Sequence, residues 1–454
     1  MKKKRIVSKL LIGVMVLNLS LSSIGCASGN GGKKSGKEEG DITLTVTVGA
    51  HEMGDSKLYE KYEAEHPGIH IEVIPLSNND TKLLSMIASG DPPDIIRCTA
   101  YDELPVYVQR GILMPLDDYI AESENLNIDD LYEAANMCRF DGTTRGKGSL
   151  YGLPKDWCPI GLWINKDVFA KEGIPLPSET EPMTWKEFGD LAKKLVKKDG
   201  EAVDRHGCIT ALPFPTLLEM YLNSNGSSLW TDDFNSTTLN TDTTKQAVEY
   251  FKDLQEHAAI QSSLYPAADS IGNSALLEDK TGMVLAGYWF NGAFAAANKT
   301  EETLNKLMFV PAPVGEKKAS YCLDMVSLAV FSKTKHPKEA YELWEYLVLS
   351  ETSAGSRAKI GLGLPTSKKY SSYLPKNTEL QRRSLEVVEN YQLEVLDLTP
   401  KICPYITYAS MIAAFDQYYL PVLFGRDKLD NALQTINSET EILIEEGKKL
   451  VGAE

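Results

Sequence analysis

The chain has 454 residues, 43% of them apolar and 24% charged, with a formal charge of −16. That length exceeds what one hydrophobic core usually spans, so two lobes or domains are expected. The acidity, with no Lys/Arg stripe interleaved with aromatics, supplies no means of neutralising phosphates and argues against a nucleic-acid partner.

The first residues, MKKKRIVSKL, carry five cations and no anion. The apolar run Leu10 to Leu21 is interrupted at Asn18 and Ser20 and is too short to span a bilayer, which is the pattern of an export signal covering residues 1–25. It ends in Ser23-Ile24-Gly25-Cys26, which resembles the lipobox of bacterial lipoproteins, with Ser23 where leucine is usual. The resemblance implies lipidation of Cys26 with fatty acyl chains such as palmitate, and hence a protein anchored to the cell membrane on its extracytoplasmic face. Residues 26–41 are rich in Gly, Ser and charge without apolar periodicity, the composition of a flexible tether. Loss of residues 1–26 removes five positive charges and takes the formal charge to −21.

Beyond the tether, Ile42 to Val48 (ITLTVTV) alternates apolar residues with threonine, the period of a strand. Ser56 to His66 reads as a helix halted by Pro67-Gly68, Ile69 to Ile74 as a second strand, and Thr81 to Ser89 as a second helix with Gly90 at C′. After Pro92-Pro93 the run Ile95-Ile96 enters a third strand. Strand, helix, strand, helix, strand predicts βαβ units and a mainly parallel sheet covered by helices. Leu150 to Asn165 contains two extended pieces around Pro154 and Pro159. Thr184 is the N-cap of the helix WKEFGDLAKKL, and Thr243 to Glu256 and His336 to Ser350 each place apolar residues on one face. The last third reads as mostly helical. Six further cysteines (98, 138, 158, 208, 322 and 403) form no C-x-x-C pair or zinc spacing, which predicts scattered buried thiols.

Motifs of catalysis and cofactor binding are absent. The chain has no G-x-S-x-G and no phosphate-binding loop. His66 and His70 are separated by the helix-breaking Pro67-Gly68, and Asp233 to Thr244 has threonine where a calcium loop needs glycine and glutamate. No cofactor or metal is predicted. A glycosidase-type carboxylate pair is defined by spatial separation, so a surface glycoside hydrolase or lyase stays open at this point. Of six tryptophans, Trp163, Trp185 and Trp344 fall in apolar strand or helix stripes and read as core. Trp157, Trp230 and Trp289 stand in Pro-, Asn- and Gly-rich surroundings beside carboxylates or amides. That combination suits a ligand with polar edges and apolar faces, such as a sugar.

Taken in order, YEKYEAEHPGIHIEVIPL, IASGDPPDIIRCTAYDELPVYVQRGILMPLDDYI, YGLPKDWCPIGLWINKDVFAKEGI, MTWKEFGDLAKKL, LLEDKTGMVLAGYWFNG, FVPAPVG, SLAVFSKTKHPKEAYELWEYLV and GLGLPTSKKY resemble the family 1 extracellular solute-binding proteins of ABC importers, the group of the maltose-binding protein. The resemblance implies a periplasmic-binding-protein-like α/β fold of class II, with two lobes joined by a hinge of chain crossovers. It implies a first lobe of residues 42–153 and 321–360 and a second of 154–320 and 361–454. Ligand contacts by family position would be His51, Glu52, Tyr101, Asp156, Trp157, Trp230, Tyr288, Trp289, Asn291 and Asp324. The function so implied is capture of a carbohydrate, or on the same scaffold another solute, by hinge closure. A monomeric receptor would deliver it to the permease subunits of the transporter, with no reaction catalysed.

Overall fold

The computed structural model describes residues 40–49, 56–76, 80–99, 103–200, 202–260, 272–297, 299–317, 323–393 and 401–453; Cys26, His51, Glu52 and Tyr101 lie outside them. Strand β1 (Ile42–Val48) buries Leu44, Val46 and Val48. Thr45 is satisfied rather than merely tolerated: its backbone N–H and hydroxyl both donate to the Asp94 carboxylate, at 2.8 and 2.9 Å. β1 pairs in parallel with β2 (Ile69–Pro75) and with β3 (Ile95–Thr99), and the connecting helices are Ser56–Glu65 and Asp80–Ser89. The second of these stops at Gly90, whose φ of 82° is the left-handed conformation that ends a helix. These elements follow the sequence pattern closely.

The parallel expectation fails further along. Hairpin β4 (Arg139–Phe140) and β5 (Ser149–Leu150) precedes the long β6 (Leu153–Asn165), and β7 (Lys197–Asp199) and β8 (Ala202–Arg205) form a second hairpin. β9 (Ile209–Thr210), β10 (Met283–Gly287), β11 (Leu307–Pro311) and β12 (Leu323–Val330) are the remaining strands among the described residues. The main sheet runs β2-β1-β3-β12-β6-β10-β9, with β11 also on β6. β12 is antiparallel to β3 and β6, and β10 and β11 are antiparallel to β6, so the sheet is mixed. The cause is long-range: β12 re-enters the first sheet from a distant part of the chain, which no local βαβ pattern encodes.

β6 is one continuous strand rather than two pieces. Leu153 to Pro159 pairs with β12, Ile160 to Ile164 with β10, and Gly161 to Asn165 with β11. Two hydrophobic cores form, the first of which extends across this handover to Trp163, Val284 and Phe309. One gathers β1, β3 and β12 under helix Pro337–Leu349, and the other gathers the end of β6 with helices Trp185–Leu195, Phe214–Ser224, Asp242–Ala258 and Leu429–Val451. The helix Trp185–Leu195 begins with the expected cap, a full capping box in which Thr184 and Glu187 exchange side-chain and backbone bonds. Trp163, Trp185 and Trp344 are buried as expected. Each indole N–H has an acceptor: Gly287 O, Ser224 Oγ and Leu328 O respectively. Cys98, Cys138, Cys158, Cys208 and Cys403 are buried, as expected, and Cys322 lies outside the described residues.

Gly161 sits at the handover because nothing larger fits. A Cβ there would lie 2.2 Å from the Phe309 ring and 2.8 Å from the Val310 carbonyl oxygen. Gly161→Ala is expected to destabilise the protein by about 1–3 kcal/mol, the usual scale of overpacking. A urea-unfolding midpoint equal to that of the wild type would refute this.

Candidate functional site

Strand direction decides where a ligand can sit. In open α/β sheets ligands bind beyond the carboxyl ends of the parallel strands. Those ends are Val48 of β1 and Thr99 of β3 on one side of the handover, and Thr210 and Gly287 of the parallel pair β9 and β10 on the other. β12 runs the opposite way, so its first residues, Leu323 and Asp324, lie at the same end as Thr99. The wall between the two sets of ends is made by Asp156 to Ile160 of β6 and by Tyr288 and Trp289 after β10. Tyr288 N–H donates to Pro159 O at 3.0 Å and holds the two segments together.

Register then sorts the side chains. Asp324 is opposite Cys158 and Val326 is opposite Asp156, so Asp156, Cys158 and Asp324 share one face of the sheet. Arg97, opposite Leu328, is on that face too. Arg357, from helix Ser356–Ile360, approaches from the other side, with Nε 3.5 Å from the Asp156 carboxylate. Four charges therefore cross three strands in the order Arg97, Asp324, Asp156, Arg357. The Asp324 carboxyl is pushed up to about 6, first by burial and then by the Asp156 charge. Arg97, the Met325 N–H and the Trp289 indole act in the opposite direction and keep the ionised form accessible. The Cys158 thiol is raised by burial and by both aspartates, so it stays protonated, and it donates to Leu362 O at 3.3 Å.

The expected contacts divide into surface and foundation. Asp156, Asp324 and Trp289 are half-buried and face this wall. Trp289 folds back over Gly287, where a Cβ would lie 2.4 Å from its ring, and packs edge-on against Phe290 at 4.5 Å. Trp157 is corrected: it stands on the continuous strand, not on a loop. Its ring is 2% exposed, donates to Pro365 O at 3.1 Å and meets Tyr132 edge-on at 5.3 Å. It ties β6 to the segment after Gly361 and offers no open face. Trp230 is corrected likewise. Its surroundings form a tight turn bridged to Thr237, and the ring is buried in the second core with Leu229 and Leu239.

Tyr288 and Asn291 are also beneath the surface. Tyr288 is fully buried and its hydroxyl has no partner; burial, then Cys158 and Glu389, raises its value. Asn291 donates to Ser384 Oγ at 2.9 Å and its Oδ1 is unpartnered. His51, Glu52 and Tyr101 lie outside the described residues, although the strand ends that lead to them point to this wall. Among the described residues no group of three or more His, Cys, Asp or Glu could hold a metal ion.

Sequence reasoning passed over Arg357, Cys158 and Gly363. Arg357 is a junction: it donates to Lys155 O at 2.8 Å and Leu347 O at 3.2 Å while it pairs with Asp156. Gly363 lies so close to Cys158 and Asp156 that a Cβ would sit 2.9 Å from the Cys158 sulfur. The glycine-rich stretch Gly361-Leu362-Gly363 was the only local signal.

Two α/β sheets that share one strand and turn their strand ends toward a common wall define a periplasmic-binding-protein fold. The profile of the bacterial extracellular solute-binding protein family matches residues 53–353, more than half of the chain, and the chain belongs to that family. An ABC transporter extracellular-binding protein of unassigned function from Pyrococcus horikoshii is 26% identical over 359 residues, which cover 75% of each chain. Among solved structures, an ABC substrate-binding protein from Listeria monocytogenes in complex with cycloalternan superimposes with a TM-score of 0.69 at 19% identity, covering 91% of this chain and 99% of that one. The maltose/maltodextrin-binding domain of Bdellovibrio bacteriovorus bound to maltotriose superimposes with a TM-score of 0.67 at 18% identity, covering 89% and 100%. At such identities these structures establish the fold.

Arg357→Met leaves Asp156 without its cation and the hydrogen bonds to Ser353 Oγ, Lys155 O and Leu347 O unmade. It is expected to destabilise the protein by about 3 kcal/mol, and Asp156→Asn in the same chain should recover part of that loss. Equal unfolding midpoints for wild type and Arg357→Met would show that the pair contributes nothing.

Proposed function

We propose that the protein is a membrane-tethered receptor that captures a carbohydrate, in particular an oligosaccharide, and hands it to the permease of an ABC importer. The observation that carries this reading is the half-buried Trp289 indole, just after β10, on the same wall as the half-buried Asp324 and Asp156, which share one face of the adjoining strands. An aromatic face stacks on the apolar face of a sugar ring while carboxylates accept its hydroxyls, and this pairing suits a neutral polyol better than an anion. The cycloalternan and maltotriose in the Listeria and Bdellovibrio complexes support the same class of ligand.

His51, Glu52 and Tyr101, on the segments that follow β1 and β3, complete the proposed contact set. Asp156, Trp289 and Asp324 touch the ligand, and Trp157, Tyr288 and Asn291 position the wall from below. The proposed lobes are 42–153 with 321–360, and 154–320 with 361–454, joined within β6, whose pairing changes partner at Ile160. Ligand contacts to both lobes favour a closed form, and the permease recognises that form. The receptor acts as a monomer, catalyses no reaction, and is held at the extracytoplasmic face of the membrane by acylation of Cys26.

A thermal-shift screen against mono- and oligosaccharides tests the ligand class, and release of new reducing ends in the same mixtures would mark an enzyme instead. With a sugar so identified, Trp289→Ala is expected to weaken binding by about 1–3 kcal/mol with little change in unfolding temperature. Unchanged affinity by calorimetry would remove Trp289 from the site. Replacement of Cys26 by serine is expected to move the protein from the membrane to the soluble fraction, and persistent membrane association would refute the anchor.

A further inference from the structure

Among the described residues β2 ends the main sheet, paired with β1 on one side only. Its run Ile69 to Ile74 (IHIEVI) is rich in β-branched residues, carries a single carboxylate at Glu72 and contains no proline. That is the composition of a segment that pairs with another strand wherever its edge is open.

The parallel ladder shows which residues face outward. In a parallel strand the N–H and C=O of one residue point to the same side, and the side alternates along the chain. Gly68 O accepts from Ile42 N–H and Leu76 N–H donates to Val48 O, so residues of even number face β1. Ile69, Ile71, Val73 and Pro75 therefore face away from it. Ile69 N–H donates to His66 O at 3.1 Å. Ile71 N–H donates to Glu63 Oε1 at 2.7 Å. Pro75 has no N–H, and its carbonyl accepts from Lys82 Nζ at 2.8 Å. The helices Ser56–Glu65 and Asp80–Ser89, and the turn between the first of them and β2, thus each supply a partner to the outer edge.

We propose that the outer edge of β2 is a surface for pairing with β2 of a second copy of this chain, held closed by the Glu63 carboxylate and the Lys82 ammonium.

The two side chains stand where an incoming strand would place its own groups. A carbonyl of that strand would accept from Ile71 N–H, and an N–H of it would donate to Pro75 O. Glu63 and Lys82 make those two bonds from within the chain. A hydrogen bond to an ionised partner is roughly twice as strong as one between neutral groups, so a backbone carbonyl competes poorly with Glu63. The carboxylate is also well placed: Glu63 is half-buried, and the preceding Tyr62 is fixed in the first core and stacks on His66 at 3.9 Å. The second copy is the occupant because the segment is complementary to itself. A two-fold axis brings the same outward residues of both chains together, and Glu72 alone offers little repulsion between them. The inference does not rest on the carbohydrate reading, and it supplies a physical cause for the monomeric state proposed above.

The test is the mass of the full chain, purified in mild detergent and measured by light scattering after size exclusion from micromolar to near-millimolar concentration. Glu63→Ala combined with Lys82→Ala is expected to rise from monomer toward dimer as concentration increases. Glu63→Gln, which keeps an acceptor and loses the charge, should stay monomeric, as should Glu60→Ala at an exposed position of the same helix. Val73→Pro removes an outward N–H without touching the bonds to β1, and added to the double variant it should restore the monomer. A double variant that stays monomeric throughout overturns the proposal, and so does association that Val73→Pro leaves unchanged. Should the double variant not fold, Glu63→Ala alone is read in the same way, with amide exchange as a second measurement. An Ile71 amide that exchanges no faster in Glu63→Ala than in the wild type would show that Glu63 does not close the edge. Failure of this test leaves carbohydrate binding untouched, and failure of the sugar screen leaves the edge untouched.

Discussion

One strand holds this molecule together. β6 is bonded to β12 along its first half and to β10 and β11 along its second, so a single extended segment is the edge strand of one sheet and an interior strand of the other. Such a strand cannot bend sharply without breaking ladder bonds, and each unpaired backbone group in that setting costs free energy. The handover is therefore confined to the few residues around Ile160. Gly161 lets the Phe309 ring lie against the strand there, and the Tyr288 N–H takes the Pro159 carbonyl that β12 leaves free. The placement of the strand ends, and thus of the cleft wall, follows from this one geometric requirement.

The same strand gathers the charges. Because side chains alternate, Asp156 and Cys158 share a face with Asp324 and Arg97, and the apolar Trp157 is turned to the opposite face. Partly buried carboxylates tolerate each other only when cations flank them. Arg97 and Arg357 do so from the two ends of the row. Arg357 in addition donates to the carbonyl of Leu347 near the end of helix Pro337–Leu349, so the last crossing of the chain is attached both to that helix and to β6. The electrostatics of the wall and the mechanics of the crossings are held in common side chains.

Much of this was legible in the sequence where the cause is local. The alternation of β1, the stop at Gly90, the Thr184 cap and the burial of Trp163, Trp185 and Trp344 all follow from neighbours a few residues away. What escaped depends on partners far along the chain. The antiparallel entry of β12 turned an expected parallel sheet into a mixed one. Pro154 and Pro159 looked like breaks in β6, yet the pairing runs past both, with a bulge beside Pro154. Trp157 and Trp230 were misread for the same reason: polar neighbours suggested open loops, while the acceptors and apolar partners that bury the rings are distant in sequence. Arg357 had no local signal, since both its carboxylate and one of its carbonyl partners come from β6.

The wall also constrains how closure could be linked to a ligand. A bound molecule shifts a conformational equilibrium only by as much as its affinities for the two forms differ. Trp289 already packs edge-on against Phe290 in the structure described, so a ligand would gain from this residue only what exceeds that contact. Asp324 stands between opposing influences, with burial and Asp156 disfavouring its charge and Arg97 favouring it. On the proposed reading, selectivity at this wall depends as much on the contacts a ligand must displace as on those it makes.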